Sequence, residues 1–156
     1  MTRIHERIEV DLPIDAAFDY VADFASNAEW DPNTAAAHRI GEGPVGVGAQ
    51  YRVDVRIGNR TAPMTYRITE YDRPRRVVLV GEGSGVSSVD DIRFQESAGR
   101  TAVDYVADIR LGGLLRLVQP FLGGRFEKLG KDAASGMSRE LNELAATRAA
   151  DGGTAT

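Results

Sequence analysis

Alternation of apolar and polar residues dominates the first two thirds of the chain. Ile4, Ile8 and Val10 share one side of residues 3–11, and Arg3, His5, Arg7, Glu9 and Asp11 the other, which predicts a strand with one dry face. The same period returns in residues 49–57, where Tyr51, Val53, Val55 and Ile57 oppose Arg52, Asp54 and Arg56. It returns from Met64 through Tyr66 and Ile68 to about Tyr71, in residues 75–82, in 86–95 and in 101–110. Residues 34–41 form a weaker strand, poor in β-branched residues. Gly58-Asn59, Asp72-Arg73-Pro74, Gly83-Ser84-Gly85 and Ser97-Ala98-Gly99 separate these runs with residues that favour turns. The spacing predicts an antiparallel meander with one dry and one wet face.

Helical spacing appears in two places. Pro13 opens a short helix with Ala17, Phe18, Val21 and Phe24 on its apolar side, and Ser26-Asn27 starts a second that stops at Trp30-Asp31-Pro32. After Gly113 the period changes for good. Leu122, Phe126, Leu129, Ala133, Met137, Leu141 and Leu144 recur at steps of three and four, the stripe of one helix face. Pro120 and Gly123-Gly124 predict a lead-in helix before the main one. Residues 1–148 are expected to form one domain, and the small, polar residues 149–156 a disordered tail.

Composition narrows the function classes. The 156 residues carry a formal charge of −4 with both signs dispersed, unlike a nucleic-acid surface with its basic stripe. Cysteine is absent, which removes disulfides, thiolate metal sites and thiol nucleophiles. No apolar run is long enough for an integral membrane segment, and no secretory leader opens the chain, so the expected location is cytoplasmic. The Gly-rich residues 41–48 lack a following Lys-Ser/Thr and precede a strand, so they are not a phosphate loop. His5 and His38 do not have metal-ligand spacing. No cofactor and no metal are expected. Monomer and homodimer are both compatible with the sequence.

The order of strand, two short helices, six strands and a long terminal helix resembles the START/Bet v1-like (helix-grip) superfamily. Within it, the likeness is to bacterial polyketide cyclase/dehydrase-like or lipid-transport-like proteins of the SRPBCC group. The resemblance runs over residues 3–147. It rests on Ile8-Glu9-Val10-Asp11-Leu12-Pro13-Ile14-Asp15-Ala16-Ala17-Phe18, Trp30-Asp31-Pro32, Gly46-Val47-Gly48-Ala49-Gln50-Tyr51, Glu70-Tyr71-Asp72-Arg73-Pro74-Arg75-Arg76 and Gly99-Arg100-Thr101. It implies an α+β fold in which a curved seven-stranded antiparallel sheet and the C-terminal helix enclose a cavity.

Inward positions, counted by alternation, give the candidate ligand-binding residues Tyr51, Val53, Val55, Tyr66, Ile68, Leu79, Ser88, Asp90, Ile92 and Tyr105 on the sheet. Leu122, Phe126, Gly130, Ala133 and Met137 face them from the helix, and Trp30 caps the core near one mouth. A mostly apolar wall with a few polar heads is the usual lining of a small-molecule pocket. Gly123 and Gly130 on the helix face signal either close packing or room for a guest. Asp90 and His38 are the weak candidates for acid–base chemistry. Asp90 falls on the inner face as a polar anchor or general base, unless a bulge or the strand's wet end turns it to water. His38 has Ala36 and Ile40 as same-face neighbours and is placed inward.

Three readings of function stay open at this level. The first is a binding module for a hydrophobic or amphipathic small molecule, such as a lipid, polyketide or isoprenoid. The second is a cyclase or dehydratase that uses the same cavity. The third is a protein-interaction partner that docks a client on an edge strand or loops.

Overall fold

The computed structural model describes residues 1–152. Strands β1 (Thr2–Val10), β2 (Thr34–Ile40), β3 (Gln50–Ile57), β4 (Arg60–Asp72), β5 (Arg76–Gly83), β6 (Val86–Ser97) and β7 (Arg100–Leu111) form one antiparallel sheet. Its order is β1-β7-β6-β5-β4-β3-β2. The meander runs from β2 to β7, and β1 then pairs with β7 from Thr2↔Ile109 to Val10↔Thr101. Helices α1 (Ile14–Ala22) and α2 (Asn27–Trp30) connect β1 to β2, and α3 (Gly123–Gly152) crosses the dry face. This is the α+β helix-grip arrangement that the sequence resembles.

The segment before α3 is tighter than the expected lead-in helix. Two 3₁₀ turns, Gly113–Leu117 and Gln119–Phe121, precede it. Gly113 takes a φ of 58°, which lets the chain turn sharply out of β7. Gln119 ties the segment down: its amide nitrogen donates to the Ile109 carbonyl at 2.9 Å and to Thr2 Oγ1 at 3.0 Å. The disorder expected from residue 149 does not hold for 149–152, because α3 remains helical through Gly152; residues 153–156 of that expectation lie outside the described residues.

The cup of the sheet is filled at one end only. Phe18 of α1 packs edge-on against both Tyr71 and Phe94, with centroids 5.2 Å away in each case. Phe24, between α1 and α2, sits 5.0 Å from Tyr66 and 6.1 Å from Trp30. Val10, Leu12, Ile68, Leu79 and Ile92 are fully buried around these rings. Burial of such side chains contributes about 1.5–3 kcal/mol each, so this end anchors the fold. Beyond Trp30 the interior is hollow.

α3 is clamped where it crosses α2. A Cβ placed on Gly136 would lie 1.8 Å from the Trp30 carbonyl oxygen. One turn and a half earlier, Gly130 rests on the Ile4 side chain. Of the two glycines that the sequence singles out, Gly130 is closely packed on Ile4 and also lines the cavity, whereas Gly123 is exposed with open space beside it; the sequence does not single out Gly136.

Candidate functional site

The hollow end is a cavity of about 600 Å³ between the sheet and the N-terminal half of α3. Alternation along β3, β4, β6 and β7 aims Val53, Val55, Met64, Tyr66, Ser88, Val103 and Tyr105 into it. Leu122, Phe126, Gly130, Ala133 and Met137 of α3 and the turn before it form the opposite wall. Phe24 and Trp30 close its inner end. The mouth lies between the β3–β4 hairpin, with exposed Ile57 and Gly58, and the segment bearing Leu115 and Leu129.

Asp90 is the chemical centre of the wall. It is 2% exposed and pairs across the sheet with Leu79 and Ala107. Ser88 Oγ donates to Asp90 Oδ1 at 2.5 Å, and the Tyr105 hydroxyl donates to Oδ2. Residues 88 and 90 share a face because they are two apart in one strand, and Tyr105 reaches them from the neighbouring β7. Burial pushes the Asp90 carboxyl from its ordinary 3.8 up to about 6, while the hydrogen bonds from Ser88 and Tyr105 hold it down. Burial also raises the Tyr66 and Tyr105 phenols well above 10, and the charge of Asp90 adds to both shifts. Both phenols therefore keep their protons at neutral pH. Tyr66 is fixed against its strand partner Gly81, where a Cβ would lie 2.5 Å from the ring.

A second polar group lies on the short helices. Asp31 accepts from the Asn33 backbone N–H at 2.8 Å and from Asn33 Nδ2 at 2.9 Å, an Asx-type turn that ends α2. Burial raises its carboxyl. Thr34 Oγ1 donates to Asn27 Oδ1 at 2.6 Å in the same wall. Trp30 stands edge-on to Tyr105 at 6.0 Å, linking this group to the Asp90 cluster.

The sequence-derived residues divide into three sets. Trp30, Val53, Val55, Tyr66, Ser88, Asp90, Tyr105, Leu122, Phe126, Gly130, Ala133 and Met137 line the cavity. Tyr51, Ile68, Leu79 and Ile92 point inward but are packed into the filled end and do not reach it. Tyr51 instead lies under the Arg39 guanidinium, 5.4 Å from the ring centroid. His38 is exposed, opposite Arg52. A bulge between Thr34 and Ala36 slips β2 by one residue, so Ala37 and Arg39 take the inner positions. His38 is thereby removed from the acid–base candidates.

Several wall residues escaped the sequence reading. Glu6 falls between Ile4 and Ile8 on the dry face and opposes Tyr105; the alternation itself carried that signal. Asn27, Asp31 and Asn33 come from the α2 turn, whose direction no periodicity encodes. Among the described residues no group of three His, Asp or Glu side chains is placed to hold a metal ion, and no helix is long and apolar enough to cross a membrane.

Comparison with known proteins follows the same lines. The family model described as polyketide cyclase/dehydrase and lipid transport matches residues 1–147. The Zhui aromatase/cyclase from Streptomyces sp. R1128 superposes with a TM-score of 0.74 at 17% identity, covering 89% of this chain and 92% of its own. A protein from Thermus thermophilus gives 0.76 at 12% identity, with 92% and 98% covered. A START superfamily protein from Mycobacterium smegmatis gives 0.70 at 14% identity, with 92% and 97% covered. At such identities the likeness is one of fold. A search of curated proteins finds no match to the chain.

Proposed function

The chain belongs to the polyketide cyclase/dehydrase and lipid-transport family, and from that premise we propose that its cavity takes up a hydrophobic or amphipathic small molecule of the lipid, polyketide or isoprenoid kind. One observation carries the reading: a hollow of about 600 Å³ with aliphatic and aromatic walls and one buried acid–phenol cluster inside it. Apolar burial at about 25 cal/mol per Å², less the costs of association, drives entry.

The polar groups choose which end enters first. The carboxyls inside are Glu6, Asp31 and Asp90, whereas Arg56, Arg125 and Lys128 border the mouth. An anionic head group is repelled by the interior and matched at the rim. A hydroxyl meets an acceptor in Asp90, and a carbonyl meets a donor in the Tyr66 phenol. The guest is therefore oxygenated but uncharged at its buried end.

A cyclase- or dehydratase-type reaction in the same cavity is the second reading, and Asp90 favours it. With its carboxyl raised to about 6, Asp90 is ionised at neutral pH and sits close to the range in which general bases are effective. It would take a proton from the carbon between two carbonyls. The C–H electron pair would pass to the carbonyl oxygen as an enolate, which a neutral phenol stabilises by hydrogen bonding.

Native mass spectrometry of gently purified protein tests the binding reading directly. A retained small-molecule mass is expected, and Ala133→Trp, which fills the cavity from α3, abolishes it while circular dichroism stays unchanged. No guest from the wild type, with no rise in melting temperature across a panel of lipids and polyketides, would overturn the reading. The catalytic reading requires in addition that Asp90→Asn lower turnover of a poly-β-carbonyl substrate by about 100-fold or more while binding persists.

A further inference from the structure

The rim of the cavity has a character unlike the rest of the surface. Leu114 is 84% exposed, Leu117 67% and Phe121 86%, and Leu115, Val118 and Ile57 are also exposed. They come from two segments only, the 3₁₀ turns before α3 and the β3–β4 hairpin, both of which contribute to the cavity lining, through Leu115 and Val118 and through Ile57. Isolated exposed apolar residues are ordinary, but a contiguous group marks an interaction surface.

Charge identifies the partner. Residues 55–62 and 112–126 hold Arg56, Arg60, Arg116 and Arg125 and not a single Asp or Glu, in a chain of net charge −4. Among the described residues eight arginines elsewhere carry ion pairs, including Arg3 with Asp108, Arg7 with Asp104, Arg73 with Asp19, Arg76 with Asp91 and Arg100 with Asp11, while Arg39, Arg67, Arg75 and Arg110 show none. None of the four rim arginines has an ion pair among the described residues. Glu127, the next acid along α3, is bound to Lys131 at 3.1 Å, and the neighbouring β5–β6 hairpin contributes one acid, Glu82.

We propose that this rim docks on an anionic lipid bilayer, with Leu114, Leu117 and Phe121 entering the interface and the four arginines facing the lipid phosphates. Large apolar side chains interleaved with unpaired cations suit the boundary between head groups and acyl chains. A second copy meeting this face symmetrically would bring arginine against arginine, so the charge selects the membrane over a dimer. Docking would point the mouth of the cavity at the lipid. The inference stands on the surface alone and does not depend on what the cavity holds.

Flotation of the full chain with large unilamellar vesicles tests it. Binding is expected to vesicles of phosphatidylcholine mixed with phosphatidylglycerol, with weak binding to phosphatidylcholine alone and a decline as salt is added. Arg116→Gln and Arg125→Gln should each lower affinity about fivefold. Leu117→Ser combined with Phe121→Ser should abolish flotation with the fold intact, since both side chains are exposed. Equal binding to the two vesicle types, no binding to either, or unimpaired binding by these variants would overturn the proposal. So would a dimer in sedimentation velocity that the Leu117→Ser/Phe121→Ser variant loses, because the occupant would then be a second copy.

Discussion

Replacing Gly136 with alanine is expected to destabilise the protein by about 3 kcal/mol, the upper end of overpacking penalties. In an isolated helix the same change would stabilise by about 1 kcal/mol, since glycine is a poor helix former. The sign reverses here because the new methyl would lie 1.8 Å from the Trp30 carbonyl oxygen. The obstacle is backbone, which no rotamer change relieves. Either α3 lifts from α2 or α2 shifts, and both loosen Trp30 from Phe24 and Tyr105 at the inner end of the cavity. The melting temperature should fall by about 6–12 °C. Gly124→Ala serves as the control: nothing lies within 4 Å of its Cβ position, so that variant should match the wild type or gain slightly. Equal melting temperatures for Gly136→Ala and Gly124→Ala would show that α3 does not rest on α2 at this point.

Gly136 also marks where sequence reading stops. A helix stripe is counted from its large apolar residues, and Leu122, Phe126, Met137 and Leu141 do describe the inner face of α3. The close approach to Trp30 depends on where α2 ends, which is a tertiary fact. The strands were legible because alternation and turn residues are local, and six hairpin-compatible runs leave few ways to build a sheet. His38 failed for a related reason: alternation assumes no bulge, and one extra residue between Thr34 and Ala36 exchanged the two faces of β2. Tyr51, Ile68, Leu79 and Ile92 lie on the expected face but at the other end. Alternation tells in from out, but whether an inward side chain meets solid core or hollow is decided by Phe18 and Phe24, placed by helices before β2.

Asp90→Asn should reveal the buried acid as a pH-dependent gain in stability. In the unfolded chain the Asp90 carboxyl titrates near 3.8, and in the folded protein near 6. Below pH 4 both states carry the proton and burial exacts nothing for charge. Between pH 4 and 6 the folded state binds more protons than the unfolded one, so stability falls as pH rises. Above that window the loss is complete, at about 3 kcal/mol. Asparagine has the shape of the protonated acid and no charge. Its carbonyl oxygen can accept from Ser88, and its amide can donate to the Tyr105 hydroxyl. The variant should therefore melt about 6–12 °C above the wild type at pH 8, with the gap closing as pH drops through 6 toward 4. Ser88→Ala supplies an internal check. It removes a donor that holds the carboxyl down, so the upper edge of the window should move above pH 6. A wild-type/variant difference that stays constant from pH 4 to pH 8 would mean that Asp90 reaches water in solution, and it would take with it both the dry inner wall and the general base that depends on that wall.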